Sequence, residues 1–239
     1  MAVVGGPDPL VTDELILLLD AGNKESYPGS GTTWFDISGN ENDATMTNAA
    51  WNSNGYWLFD GTSDYGTISS LSGFTNTTNV TVFCIFKPTF AAGSNQNGGR
   101  GALLGFGAAA GSTNDIYHFG STDNAFGLNT WNNNIYGVDD IVNYDDDVIA
   151  GTFQFKFGGS DTAGFNMFIN GQDQSESQVR GSATDRTRST QFGIGCNGWN
   201  TSNQTWTGRI YYIAIYNDSV TTAKALQNYK FYNNNSRFQ

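Results

Sequence analysis

Two stretches of the chain decide its fold: VTVFCIFK at residues 80–87 and RIYYIAIY at residues 209–216. In each stretch both sets of alternating side chains are largely apolar, and β-branched or aromatic residues predominate. Such residues favour strands, and strands that are apolar on both faces lie in the middle of a sheet. We therefore expect each stretch to be a central strand, covered by an opposing sheet on one face and by loops on the other.

Seven further short runs of apolar, β-branched and aromatic residues accompany these two. The chain also contains 30 glycines, which allow it to turn tightly between the runs. Many short strands separated by turn signals are typical of a sandwich or jelly roll. No linker interrupts the pattern, so we expect an N-terminal arm over 1–13 and one domain over 14–239. The seven runs are 15–19, 56–59, 102–106, 116–119, 148–157, 165–169 and 191–194.

Local signals predict one hairpin and one helix. The Asn-Gly pair at 170–171 lies between two strand-like halves and favours a tight β-hairpin. Residues 221–229 form the best helix candidate, with Thr221 as its N-cap, and we expect a structural lid at the end of the chain. Its short apolar stripe would consist of Val220, Leu226 and Tyr229.

The composition excludes several classes of protein. The chain has 22 acidic and 11 basic residues, and its formal net charge of −11 with no basic run argues against a nucleic-acid partner. No apolar stretch approaches 18 residues, so we expect no membrane partner. One histidine and two cysteines exclude zinc fingers, cysteine–histidine catalysis and disulfide scaffolds. The opening residues 1–7 lack the features of a signal peptide, so we expect synthesis without export.

Several segments resemble, in order, the motifs of LamG-like domains of the concanavalin A-like lectin/glucanase group. The matches run from about Leu15 to Phe238, nearly the whole chain. They are LLLDAGN at 17–23, SYPGSGTTW at 26–34, DISGN at 36–40, LFDGTSDY at 58–65, the strand at 80–88 that ends in Lys-Pro, FING at 168–171, and the final strand and helix at 208–216 and 220–229.

This resemblance implies an all-β fold, a two-sheet antiparallel jelly-roll sandwich with one short C-terminal helix. The opening stretch is especially similar to domains of tailed-bacteriophage structural proteins. It implies a non-enzymatic virion protein, made in the host cytoplasm and displayed on the virion surface as a capsid decoration or a tail-fibre tip. Its lectin-like character implies a cell-surface glycan as a possible ligand. A stand-alone carbohydrate-binding module is the alternative.

The arm over 1–13 suggests how such a protein would attach. It precedes the domain and contains two of the chain's four prolines. Short termini are disordered unless something holds them. We expect the arm to dock against other virion proteins, and the chain to form a homo-oligomer on the particle; folding of the arm back onto its own sheet is the alternative.

Glycoside hydrolysis is the enzymatic activity to consider, because the same superfamily includes glucanases. It generally requires two carboxyl groups about 5–9.5 Å apart across the scissile bond. The glucanases that the chain resembles carry two glutamates that flank an aspartate on one strand. The four glutamates of this chain do not form that pattern. We therefore expect no catalytic residues. A polysaccharide-degrading enzyme that uses an aspartate pair, such as Asp139 with Asp145, is the alternative.

The densest cluster of acidic residues predicts a structural calcium site. Asp139, Asp145 and Asp147 would supply the hard oxygen ligands that Ca²⁺ prefers. The spacing matches no EF-hand, and a solvated acidic loop without any cofactor is the alternative.

Two segments combine tryptophan with asparagine, as sugar-binding loops do. An aromatic ring stacks on the apolar face of a pyranose, while amide groups both donate to and accept from its hydroxyls. We interpret both segments as loops, where ligand contacts usually lie. Tryptophans that fill gaps between sheet and loop are the alternative. The candidate carbohydrate-binding residues are Trp131, Asn133, Tyr136, Asn197 and Trp199.

We predict that both cysteines lie in strands. Because we expect folding in a reducing cytosol, Cys84 and Cys196 are predicted to be free, buried thiols, with a disulfide between them as the alternative.

Overall fold

The computed structural model of the chain describes residues 11–73, 79–89, 100–107, 114–119, 126–129, 134–138, 146–156, 166–174, 178–180, 191–197, 205–217 and 221–234. Within these residues the chain forms strands and one helix. In chain order they are β1 (Leu15–Asp20), β2 (Thr33–Trp34), β3 (Ala44–Thr47), β4 (Ala50–Asn52), β5 (Tyr56–Asp60), β6 (Tyr65–Ile68), β7 (Asn79–Pro88), β8 (Arg100–Phe106), β9 (Asn114–Phe119), β10 (Phe126–Asn129), β11 (Asn134–Val138), β12 (Ile149–Lys156), β13 (Asn166–Ile169), β14 (Gln172–Asp173), β15 (Gln178–Arg180), β16 (Phe192–Ile194), β17 (Thr207–Tyr216) and α1 (Thr222–Asn233).

The strands form two antiparallel sheets. The eight-stranded sheet has the order β14-β13-β12-β7-β17-β5-β4, and β1 pairs with the part of β17 that β5 leaves free. The nine-stranded sheet has the order β15-β11-β10-β9-β8-β16-β6-β3-β2. The expected all-β, two-sheet architecture is confirmed, and each of the nine apolar runs forms a strand. The two stretches that decide the fold, now β7 and β17, lie side by side in the middle of the eight-stranded sheet.

The main hydrophobic core lies between the two sheets. Alternate residues of β7 and β17 point into it and meet apolar residues of β8 and β16. Each large apolar side chain buried in this way contributes about 1.5–3 kcal/mol. The core residues of these four strands include Val82, Phe86, Ile213, Ile215, Leu104, Phe106 and Ile194.

A second hydrophobic cluster lies on the outer face of the eight-stranded sheet. Phe83, Ile85 and Tyr216 belong to it, and α1 packs on them through Ala225 and Tyr229. We expected loops to cover this face. That expectation was wrong where α1 covers it instead. The helix is a structural lid, as predicted, and it completes the burial of the central strands.

The helix begins as predicted, but its buried face differs from the prediction. The Lys224 amide donates to Thr221 Oγ1 at 3.3 Å, which confirms the N-cap. Leu226 is 40% exposed, so its place in the apolar stripe was wrong, and Val220 lies outside the described residues. Ala225 and Asn228 are buried instead. A small side chain and an amide with partners allow the helix to approach the sheet closely.

The Asn170-Gly171 hairpin is confirmed. Both residues have positive φ, 51° and 74°, as a two-residue turn between β13 and β14 requires. A Cβ at Gly171 would lie only 2.9 Å from the ring of Tyr229. The glycine therefore serves both the turn and the close packing of the helix.

Both cysteines are free and buried, as predicted. Cys84 lies in β7, and burial raises the pKa of its thiol well above the usual range. Cys196 follows β16 and does not lie within a strand, so the prediction of a strand at this position was wrong.

Candidate functional site

A polar row crosses the nine-stranded sheet from one edge to the other. Each of its members is the direct register partner of the next, so the row runs perpendicular to the strands. The members of this polar row are Thr33, Thr45, Thr67, Gly193, Gly105, Asp115, Asn129, Asn134 and Arg180.

The members of the polar row whose side chains are described, such as Thr45, belong to the outer face of the sheet. Thr45 is exposed between the buried residues Ala44 and Met46, and Gly193 lies between the core residues Phe192 and Ile194. Successive residues of a strand alternate between faces, and the described side chains of the next row along the strands, those of Met46, Ile194 and Leu104, belong to the core side. That row contains only apolar residues and glycine: Met46, Gly66, Ile194, Leu104, Ile116, Leu128, Ile135 and Val179.

The segment after β16 divides the polar row. A Cβ at Gly193 would lie 2.8 Å from the Cys196 carbonyl oxygen and 3.0 Å from that of Asn197, so this segment folds over the glycine. On one side lies the threonine half, with Thr33, Thr45 and Thr67. On the other lies the asparagine half, with Gly105, Asp115, Asn129, Asn134 and Arg180, which spans five strands and about 19 Å.

Two of the five candidate sugar-binding residues, Tyr136 and Asn197, lie within the described residues. Tyr136 belongs to β11, two residues after Asn134 of the row. Asn197 is fully buried beside Gly193, so its side chain is not on the surface. Trp131, Asn133 and Trp199 lie outside the described residues.

One part of that prediction needs correction. We interpreted 131–136 as a loop, but Asn134–Val138 forms β11, which pairs with β10 on one side and β15 on the other. Ile135 and Tyr136 have strand-favouring side chains, and the two pairing partners outweigh the loop tendency of the preceding asparagines.

The predicted calcium site is only partly within the described residues. Asp147 is exposed before β12, while Asp139 and Asp145 lie outside them. The neighbouring Asp146 forms an ion pair with Lys87 at 2.9 Å. In the described part of the chain no three His, Cys, Asp or Glu side chains are grouped as metal ligands would be. The calcium site remains a prediction.

The turn between β5 and β6 holds a pair of carboxyl groups that the sequence analysis did not single out. Asp64 is buried, and its Oδ2 accepts a hydrogen bond from the Asp60 amide at 2.9 Å. Burial raises the pKa of Asp64, and the charge of Asp60 adds to the rise. This turn connects the eight-stranded sheet to the nine-stranded sheet, so the two carboxyl groups lie where the chain passes from one sheet to the other.

The motif DISGN at 36–40 has a structural role. Asp36 accepts hydrogen bonds from the amides of Leu18, Ser38 and Asn42 and from the Ser38 hydroxyl, all at 2.8–3.0 Å. Asn42 Nδ2 donates to the Ile16 carbonyl at 2.7 Å. These side chains pair with the open edge of β1 and so protect it from pairing with another chain.

The described end of the N-terminal arm is held by its own chain. Val11 is buried, its amide donates to Asn228, and its carbonyl accepts from the Tyr216 hydroxyl. Residues 1–10 lie outside the described residues, so docking of the arm on another protein remains a prediction.

The stacked antiparallel sheets, with a helix on one outer face and a polar row on the other, define a lectin-type β-sandwich. Residues 60–225, more than half of the chain, match the family model described as the concanavalin A-like lectin/glucanases superfamily. The chain belongs to this superfamily.

Solved structures with a similar fold include a sialidase and a domain of an arabinanase. A mutant of Trypanosoma rangeli sialidase with trans-sialidase activity is similar with a TM-score of 0.60 and 15% identity, over 94% of this chain and 34% of that one. Domain 4 of AbnA, a GH43 extracellular arabinanase from Geobacillus stearothermophilus in complex with arabinotriose, has a TM-score of 0.60 and 13% identity, over 90% of this chain and 98% of that domain. No curated protein sequence matches the chain.

These similarities correct one expectation. We expected a protein without enzymatic activity, and that exclusion was wrong, because the neighbours with this fold include sialidases and a domain of a glycoside hydrolase. The chain spans about a third of the length of the sialidase chains. At this level of identity the likeness shows the fold alone.

No helix among the described residues is long and apolar enough to cross a membrane.

Proposed function

We propose that the chain binds carbohydrate through the asparagine half of the polar row. The observation that carries this proposal is the continuity of the row: five adjacent strands each place a polar residue or glycine at one level of the sheet. Its length of about 19 Å suits a short oligosaccharide that lies across the strands.

The residue types in this half suit the recognition of sugar hydroxyls. The amides of Asn129 and Asn134 each offer two donors and an acceptor, so they match hydroxyl groups in either role. Asp115 adds acceptors and Arg180 adds donors. Gly105, without a side chain, leaves room on the floor of the site.

We further propose that this binding takes place on the surface of a bacteriophage virion. The opening motif at 17–40 supports this, because it is similar to domains of tailed-phage structural proteins. In this proposal the arm over 1–13 attaches the chain to other virion proteins as a homo-oligomer, and the glycan is part of the host cell surface. Purified virions should contain the chain by mass spectrometry, and virions without it would contradict the proposal.

Glycan binding can be tested with an array of neutral oligosaccharides followed by calorimetric titration of the best ligand. Asn129→Ala and Asn134→Ala should each weaken binding at least tenfold with an unchanged melting temperature. Gln172→Ala, at an exposed position of the eight-stranded sheet, is the matched control and should bind normally. Absence of any binding at millimolar sugar, or binding that neither asparagine variant weakens, would contradict the proposal.

A further inference from the structure

Two basic side chains lie next to each other on the eight-stranded sheet of this acidic protein. Arg209 of β17 and Lys87 of β7 are direct register partners, and Leu58 of β5 is the partner of Arg209 on its other side. All three alternate with core residues, so they belong to the outer face of the sheet. Leu58 is 43% exposed. The row therefore offers an accessible apolar side chain beside two positive charges.

Two tyrosines hold the Arg209 guanidinium in place. Its Cζ lies 4.7 Å from the centre of the Tyr56 ring, and its side chain is hydrogen-bonded to Tyr211. The two tyrosine rings are themselves 5.4 Å apart. Arg209 and Tyr211 are two positions apart in β17, so they lie on the same face of the sheet, and the register shift that follows places Tyr212 on that face as well. The guanidinium is thus positioned before any ligand binds.

In the part of the chain that the structure describes, no carboxylate forms an ion pair with Arg209. Lys87 forms an ion pair with Asp146, whose side chain is 70% exposed. Asp146 acts on Arg209 only as a nearby charge. Ion pairs with such exposed partners are weak, so Lys87 can exchange Asp146 for another carboxylate.

We propose that Arg209, Lys87 and Leu58 form a binding site for a sugar that carries a carboxylate, such as a uronic acid. The planar guanidinium binds a carboxylate through two parallel hydrogen bonds, and the ammonium group of Lys87 adds a second charge. Leu58 contacts the apolar face of the sugar ring. This site extends the proposed carbohydrate binding to acidic sugars and lies on the sheet opposite the polar row.

The surroundings favour one carboxylate over a polyanion. Asp60, Asp146 and Asp147 lie in the strands and segments beside the site, and they would repel an acidic peptide with several carboxylates. An inorganic anion would leave the exposed surface of Leu58 without a partner. A monoanionic ring with an apolar face satisfies both conditions.

Titrations of the intact chain with glucuronic acid, glucose and sulfate, followed by calorimetry or by amide NMR shifts, test the proposal. Glucuronic acid should bind, and glucose at the same concentration should not. Arg209→Gln should weaken glucuronic acid binding at least tenfold, and Arg209→Lys should weaken it less, because it keeps the charge without the planar fork. Lys24→Gln, at an exposed position elsewhere, is the control and should bind normally.

Two further variants separate this site from general anion binding. Asp146→Asn removes the competing carboxylate and should tighten glucuronic acid binding about two- to threefold. Leu58→Ala should weaken the binding of glucuronic acid but not that of sulfate. Equal binding of sulfate and glucuronic acid, stronger binding of an acidic peptide, or binding that Arg209→Gln does not change would each overturn the proposal.

The test of the Arg209 site is independent of the test of the polar row. Asn129→Ala should leave glucuronic acid binding unchanged. If neutral oligosaccharides do not bind while glucuronic acid binding depends on Arg209, the proposed function fails and this site stands; the reverse result removes this site alone.

Discussion

The backbone amide of Val11 donates a hydrogen bond to Asn228 Oδ1 at 3.2 Å, although 217 positions separate the two residues. Tyr216 completes the contact: its hydroxyl donates to the Val11 carbonyl at 2.9 Å and lies 3.5 Å from Asn228 Nδ2. Burial raises the pKa of Tyr216, so its hydroxyl stays protonated as a donor. The three residues join the N-terminal segment and α1 to the middle of the eight-stranded sheet.

Replacing Asn228 should loosen both ends of the chain. Asn228→Ala leaves the Val11 amide buried without its acceptor, which costs about 1–3 kcal/mol of unfolding free energy. Urea unfolding should show this as a lower midpoint. Leu226→Ala, at an exposed position of the same helix, should change the free energy by less than about 0.5 kcal/mol. Equal midpoints for the two variants would contradict the role of Asn228.

The same helix shows where sequence reasoning reached its limit. The Thr221 cap and the existence of the helix are local features, and the sequence was sufficient to predict them. Its buried face was not predictable from apolar residues alone, because Leu226 faces solvent while Asn228 is buried. Asn228 is tolerated inside only because Val11 and Tyr216, distant in sequence, satisfy its amide.

The loop after β2 should contribute strongly to stability. Asp36→Ala removes the acceptor of four hydrogen bonds, including the one that covers the Leu18 amide on the edge of β1. We expect a loss of about 2–3 kcal/mol, measured by urea unfolding. Glu25→Ala, at an exposed position, should behave as wild type. Light scattering should also show more association of Asp36→Ala, since the edge is then open for pairing.

Some strands could be predicted from their own sequences and others could not. β7 and β17 were predicted because they are long and apolar on both faces, as central position requires. β3, β10 and β11 have only four or five residues, and β10 and β11 each contain both asparagine and glycine, which are depleted in strands. Their neighbours in the sheet stabilise them, so their local sequences alone did not indicate strands.

Stability should depend on pH through Asp64. Its pKa is raised above the ordinary value of 3.8, so the folded state holds the proton more tightly than the unfolded state does. The stabilising effect of that proton is therefore complete below pH 3.8 and is lost as the pH rises through the raised pKa. Asp64→Asn keeps an acceptor for the Asp60 amide and removes this loss.

Urea unfolding from pH 3.5 to 8 can measure the effect as a difference between Asp64→Asn and wild type. The variant should gain stability relative to wild type as the pH rises above 3.8, and the difference should level off near neutral pH. Gln172→Ala, at an exposed position and without a titrating group, is the comparison and should show a flat difference. A flat difference for Asp64→Asn as well would contradict the effect of its burial.

The polar row was beyond sequence reasoning for a different reason. Its nine members come from nine strands, and which residues become neighbours depends on the register of every pair. Two residues of the tryptophan and asparagine segments fall in the sheet that carries the polar row, since Tyr136 lies in β11 and Asn197 follows β16. The sequence could not reveal that Asn197 is buried over Gly193, because that contact requires a glycine facing a folded-back backbone.

Gly193 therefore offers a direct test of how the floor of the site is built. A Cβ at this position would approach two backbone carbonyl oxygens, those of Cys196 and Asn197, to 3.0 Å or less, and neither atom can rotate away as a flexible side chain would. Gly193→Ala should lower the unfolding free energy by about 1–3 kcal/mol and shift the segment that divides the polar row. Thr45→Ala, an exposed change in the threonine half, should leave the melting temperature nearly unchanged.

Because the asparagine half begins beside Gly193, the shift of the segment in Gly193→Ala should also weaken oligosaccharide binding. Gly193→Ala with wild-type stability and wild-type binding would mean that the segment does not pack on the sheet as described.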